Sequence, residues 1–233
     1  MRPPLLSDGV AFDPHNGSFD LALRALDTGP SDTDRPTILR YCSGMSGEET
    51  HEKGREGARR AKEWLESTTR VNACWVNPDR LAVRKLTFPW AGSDRQPFSY
   101  DLGGLLRRGD LEGQNFYAEV KNYRNTRNHQ ASEYEEYLAK SYCAYVSRPE
   151  YCDSFMWITW HPFSSTKWEH LCSAETVFDA VVKHRADTLG IADEEDAAAA
   201  VDRVICKAVA DRLWLIVLSD KQEMLTVSAE HRG

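Results

Sequence analysis

FYAEVKNY, residues 116–123, is the stretch that decides how this chain is read. It is aromatic and β-branched, the composition of a β-strand whose side chains point alternately to two faces. Phe116, Ala118 and Val120 take one face. Glu119 and Lys121, two residues apart, share the other. A carboxylate and an ammonium set side by side in so apolar a strand call for an explanation.

The segment before it supplies one. In PFSYDLGGLL (97–106), alternation sets Phe98, Tyr100 and Leu102 on one face and Ser99, Asp101 and Gly103 on the other. The polar, Gly-containing turn RRGDLEG (107–113) joins the two stretches as an antiparallel hairpin. That pairing brings Asp101 near Glu119. Two neighbouring carboxylates repel unless a positive charge lies between them. A hard divalent cation serves, because Mg²⁺ needs only one or two carboxylates plus water and a phosphate oxygen. Lys121 then stands beside the metal, able to contact an attacking water or the phosphate. Alone, a Glu-x-Lys is as readily a solvated strand edge with a weak ion pair.

Around this hairpin the chain reads as one α/β domain. Ser46 and Glu49 form a capping box that opens a helix to about Ser67, with Gly54, Ala58, Ala61 and Leu65 on its inner face. VNACWV (71–76) and LAVRKLTF (81–88) are expected as strands. A second helix covers about 129–146, and a strongly apolar strand, DSFMWITWHPF, covers 153–163. Trp157, Trp160 and Phe163 read first as sheet core and second as base-stacking platforms. Helices are expected at 174–188 and 193–211, then a closing hairpin of LWLIVLS and EMLTVS. Residues 1–45 read as an irregular N-terminal arm, 46–163 as the core and 164–233 as a C-terminal extension.

Composition narrows the function classes. The 233-residue chain carries a net charge of -7, but unevenly. Residues 51–148 hold 17 Lys and Arg against 13 Asp and Glu, while the remainder holds 12 against 23. A locally basic segment around the hairpin suits a polyanionic partner. The six cysteines include no C-x-x-C pair, which argues against a zinc site. No apolar run is long enough to span a membrane. MRPPLLSDGV at the N-terminus lacks the apolar core of a signal peptide, so a cytoplasmic protein is expected.

Together, YD (100–101) and AEVK (118–121), set between two helices, resemble the signature of the PD-(D/E)xK nuclease superfamily. The resemblance covers about residues 50–163. It implies a restriction-endonuclease-like αβββαβ core: a mixed sheet flanked by helices, here with extra C-terminal helices and a hairpin. It also implies a Mg²⁺-dependent nuclease, with Mn²⁺ as a substitute, acting on DNA in phage defence, restriction or repair. By this resemblance Asp101, Glu119 and the Val120 carbonyl hold the metal and Lys121 orients the water. Gln130 and Tyr134 fit the QxxxY pattern of the RecB-like branch, Gln130 reaching the active site and Tyr134 lying near the strand being cut. Arg124 and Arg127 would grip phosphates. Many relatives place an acid on the first helix. Here that position falls on Ala58, with Glu52 and Glu56 the nearby acids, roughly 150° to 170° from the small-residue face. A homodimer or protein partner is compatible with this picture. So is a catalytically weak or inactive subunit of the same fold that binds nucleic acid or scaffolds a complex.

Overall fold

The first expected helix is present, while its Ser46 cap lies outside the described residues. In the computed structural model, which describes residues 47–122, 129–228 and 230–231, α1 spans Gly47–Thr68. Ala58, Ala61 and Leu65 are buried as expected. Gly54 is not: it is exposed, and Gly57 takes its place against the sheet. A Cβ on Gly57 would lie 2.8 Å from Asn122 Cβ and 3.5 Å from Val120 Cγ1. The missing side chain therefore lets α1 press onto the end of the FYAEVK strand, while one turn earlier the helix has left the sheet.

Strand β1 (Val71–Val76) follows. LAVRKLTF is not the expected strand but helix α2 (Arg80–Leu86) running into β2 (Thr87–Phe88). Two local features override the β propensity. The Asp79 side chain accepts from the Leu81 N–H as an N-cap, and Ala82 and Leu86, four residues apart, bury one helical face. Strand β2 pairs with β3 (Phe98–Ser99) in a separate two-stranded ribbon. PFSYDLGGLL is therefore broken: the chain bends at Asp101 before β4 (Leu102–Leu106) begins. Tyr100 and Leu102, expected on one face, fall in different core layers.

The expected hairpin then forms, with β4 antiparallel to β5 (Asn115–Lys121) and also to β1. Helix α3 (Gln130–Ser147) crosses over, and β6 (Ser154–Thr159) lies parallel to β5. Four helices come next: α4 (Ala174–Lys183), α5 (Arg185–Thr188), α6 (Glu194–Ala200) and α7 (Arg203–Ala210). Asp193 and Asp202 each cap a new helix, which is why 193–211 is two helices rather than one. Strand β7 (Leu213–Val217) joins β6 in parallel. EMLTVS does not pair back with it as expected. Ser219, two residues past the end of β7, caps helix α8 (Asp220–Glu223), and the Val227 N–H bonds to the Ser67 carbonyl at the end of α1.

The result is a mixed sheet of order β1-β4-β5-β6-β7 flanked by helices. Phe116, Ala118 and Val120 pack with Ala58, Ala61 and Leu65 on the α1 side. Tyr117, Phe155 and Trp157 pack on the other side with Tyr137 and Leu138 of α3 and Val177 of α4. Trp157 is fully buried, in line with its core assignment. Glu119 and Lys121 thus project toward α3. The N-terminal arm lies outside the described residues.

Candidate active site

The geometry starts from the bend at Asp101. Strand β4 pairs Leu102 with Ala118, and that register continued by one residue sets Asp101 opposite Glu119. Because the chain turns away at Asp101, no β4 backbone meets the Val120 N–H. The Asp101 side chain takes that role, its Oδ2 accepting from the Val120 N–H at 2.8 Å. In an extended strand a residue's N–H and C=O point to the same edge, so the Val120 carbonyl also projects toward Asp101. Burial pushes the Asp101 carboxyl up to about 7, and the neighbouring Glu119 carboxylate adds to the rise. The Val120 N–H and the ammonium groups of Lys121 and Lys140 oppose it.

Glu119 is only 8% exposed. Its Oε1 lies 3.0 Å from Lys121 Nζ, which also approaches Glu133 Oε2 of α3 at 3.3 Å. Lys121 Nζ stands 5.6 Å from the centre of the Trp157 ring. The other Glu119 oxygen, Oε2, is buried without a hydrogen-bond partner among the described residues, as are Tyr137 Oη and Trp157 Nε1. Trp157 is the β6 neighbour of Glu119, and Tyr137 packs on Trp157 at 5.2 Å between ring centroids. A bare carboxylate oxygen in a protein interior is costly unless a cation or donor meets it.

Helix α3 lies over this face. Gln130 is buried, its Nε2 donating to Thr159 Oγ1 at 2.7 Å and to the His161 carbonyl at 3.2 Å. Thr159 is the β6 residue paired with Lys121, so Gln130 sits one strand away from the candidate lysine. Tyr134, expected near nucleic acid, is a core residue: 2% exposed, its hydroxyl donating to the Leu171 carbonyl at 2.9 Å. Its ring packs on Trp157 and Phe163, each at 5.2 Å. Tyr134→Phe is therefore expected to lower stability by about 1 kcal/mol and to leave nucleic-acid binding and cleavage unchanged, as a urea melt and a cleavage assay would read. Two site residues were missed from the sequence. Glu133 pairs with Lys121, and Lys140, 3.5 Å from Glu136, acts on Asp101. The signal was the helical spacing 130, 133, 137, 140, which defines one face of α3.

The first-helix acids do not join the pair. Glu52 and Glu56 are exposed. Glu56 instead lines a cleft of about 420 Å³ with Arg60, Asn122, Trp160, His161, Ser219 and Asp220. That cleft lies on the α1 side of the strand ends, away from the face carrying Glu119. Arg60 is held there by Glu223 and Asp220 and rests 4.5 Å above Trp160. Arg124 and Arg127 lie outside the described residues.

Two hard carboxylates, one with an unpartnered oxygen, suit Mg²⁺ or Mn²⁺ better than a soft metal. No group of three or more His, Cys, Asp or Glu able to hold a metal gathers among the described residues. No helix among the described residues is long and apolar enough to cross a membrane. Comparisons with protein-family models, with curated proteins and with solved structures find no match.

Proposed function

We propose that the chain is a divalent-metal-dependent nuclease with a restriction-endonuclease-like core, hydrolysing phosphodiester bonds in nucleic acid, with DNA the favoured substrate. One observation carries this reading: Asp101, one residue before the Leu102–Ala118 pair and bonded to the Val120 N–H, lies beside Glu119, whose Oε2 is buried and bare and whose Oε1 is 3.0 Å from Lys121. The chain order supports it in part: a helix, three antiparallel strands (β1, β4, β5), a helix and a parallel strand occur in that sequence, with α2 and the β2–β3 ribbon inserted between β1 and β4.

Asp101 and Glu119 would hold Mg²⁺, with the Val120 carbonyl at the same edge. When bound, the metal supplies Lewis-acid stabilisation of charge at the phosphate and lowers the pKa of water. Asp101 is fixed for this role by the Val120 N–H, and so does not have to reorganise. Lys121, set between Glu119 and Glu133, would donate to the attacking water or to a phosphate oxygen. Gln130, anchored on Thr159, fixes the start of α3 over the lysine. A second reading is a nuclease-fold subunit that binds nucleic acid without cutting it. The exposed first-helix acids favour that alternative.

The test is cleavage of plasmid, linear duplex and single-stranded DNA with Mg²⁺, Mn²⁺ or EDTA, wild type beside Lys121→Ala. Metal-dependent cutting that falls by roughly 10²- to 10³-fold in the variant supports the nuclease. A folded wild type that cuts nothing with either metal returns the chain to the binding module.

A further inference from the structure

Helix α2, the element the sequence pattern disguised as a strand, carries a feature that the proposed site does not use. Its inner face is Ala82 and Leu86. Its outer face is Arg80, Leu81, Arg84 and Lys85, all exposed, with Leu81 at 83%. Several surface cations elsewhere meet acids: Arg59 with Glu63, Arg95 with Asp187, Arg203 with Glu175, Lys207 with Asp211. Arg80 and Arg84 meet none among the described residues. The one acid beside them, Asp79, is turned to the Leu81 N–H as the helix cap. Lys85 lies 3.9 Å from the Trp75 ring centre rather than against a carboxylate. In a chain of net charge -7, an outward helical face with three cations and no acid is a local exception, and it repels other cations unless an anion meets it.

The position of α2 matters as much as its charge. Both ends are tied to the bend that presents Asp101. Before the helix, the Asn77 N–H donates to the Asp101 carbonyl at 2.9 Å and Asn77 Nδ2 to the Tyr100 carbonyl at 3.4 Å. At its end, the Leu86 carbonyl accepts from the Tyr100 N–H at 3.1 Å. The helix rests on β4, where Gly103 leaves room for Leu86: a Cβ there would lie 2.5 Å from Leu86 Cδ2. Arg80 and Arg84, four residues apart, share a stripe, and Leu81 and Lys85 share the adjacent one.

We infer that α2 is a grip for nucleic acid: Arg80 and Arg84 contact the phosphate backbone of the strand passing Asp101, and Leu81 seats against a sugar or base. The substrate class rests on the nuclease reading above; the grip itself rests on the unpaired cations and their attachment to the Asp101 bend. Phosphate contacts of this kind position a substrate without reading its sequence. An apolar side chain among them supplies contact that salt does not screen.

The experiment is fluorescence anisotropy with a labelled DNA duplex of about 20 base pairs and its single strand, in EDTA, at salt from ~50 to ~200 mM. Wild type is compared with Arg80→Ala/Arg84→Ala, with Leu81→Ala, and with Arg203→Ala/Lys207→Ala as a control of equal charge change. All the replaced side chains are exposed, and thermal melts confirm folding. Neutralising the two arginines is expected to weaken binding on the order of tenfold or more and to make the log–log salt dependence shallower by about two. Leu81→Ala weakens binding several-fold with the salt slope unchanged, and the control stays within twofold of wild type. Equal losses in the control and the α2 variant would make the effect one of net charge and overturn the grip. So would α2 variants that bind as wild type does, or a wild type that binds neither DNA. Binding lost through α2 in a protein that never cuts leaves the grip standing and removes the nuclease reading alone. Cutting and binding unaffected by α2 does the reverse.

Discussion

Glu119→Gln is expected to abolish metal-dependent cleavage while raising the thermal stability of the metal-free protein. On the proposed nuclease reading, an amide at the carboxylate that would hold the metal removes the charge that attracts the cation, a loss on the order of 10³-fold in rate. The stability change has the opposite sign because of what surrounds the residue. Glu119 lies opposite Asp101, is 8% exposed and keeps Oε2 without a partner among the described residues. An amide removes the like-charge repulsion, can still accept from Lys121, and gains N–H donors that could meet the Asp101 carboxylate. Lys121 also keeps Glu133 at 3.3 Å, so the substitution does not strand a buried ammonium, the usual penalty for breaking a buried pair. A gain of about 1 kcal/mol, or a Tm rise of roughly 2–4 °C, is expected in EDTA. Added Mg²⁺ should stabilise wild type but not the variant, because only wild type binds it. A variant that melts several degrees lower in EDTA, beside a wild type that Mg²⁺ does not stabilise, would mark Glu119 as one half of an ordinary structural ion pair.

Much of the fold was legible because the strongest patterns are also the ones the core enforces. Alternation along 116–121 is what lets one strand serve two layers, and the small residues of α1 are what let a helix approach it. Failures occurred where short apolar runs carry no decisive period. LAVRKLTF has the composition of a strand, but Asp79 caps it as a helix and Leu81 turns outward. PFSYDLGGLL alternates without interruption, and nothing local announces that Tyr100 swings to the other layer. That bend is fixed from a distance, by Asn77 on the Asp101 carbonyl and Leu86 on the Tyr100 N–H. Tertiary hydrogen bonds of this kind have no signature in neighbouring residues. EMLTVS failed for a related reason: Ser219 offered the chain a helix cap before it could turn back.

The site divides along the same line. Glu119 and Lys121 were readable from period two alone, and Asp101 from the hairpin register. Gln130 does reach the strand ends, although its partners, Thr159 at the end of β6 and the His161 carbonyl just beyond it, are 29 and 31 residues away in the chain. Tyr134 could not be assigned from the sequence, since a Tyr four residues after a buried Gln occupies the buried face just as a nucleic-acid contact would occupy the start of a helix. Only the Leu171 carbonyl, supplied by a later loop, decides which it is.

Asp101→Asn is expected to remove a slope from the pH dependence of stability as well as to abolish cleavage. Burial and the Glu119 carboxylate raise the Asp101 carboxyl from its ordinary 3.8 to about 7. Between those values the folded protein keeps a proton that the unfolded chain has released. Stability from this group is therefore fully present below the ordinary value, falls as pH rises toward 7, and is level above it. The fall is up to roughly 4 kcal/mol in metal-free protein. Glu223, whose carboxyl is held below its usual range by Arg60, works in the other direction, losing stability as pH falls. The comparison must therefore be between proteins rather than along one curve. Urea melts of wild type and Asp101→Asn in EDTA, from about pH 4 to pH 8, should give a difference that grows in favour of the variant up to near pH 7 and then levels. The Asn side chain can still accept from the Val120 N–H, so the bend is kept. Mg²⁺ should restore wild type above pH 7 by meeting the charge that EDTA leaves exposed to Glu119, and should do nothing for the variant. A difference that stays flat across the whole range would mean that Asp101 and Glu119 do not share a field, and the two-carboxylate site would fail with it.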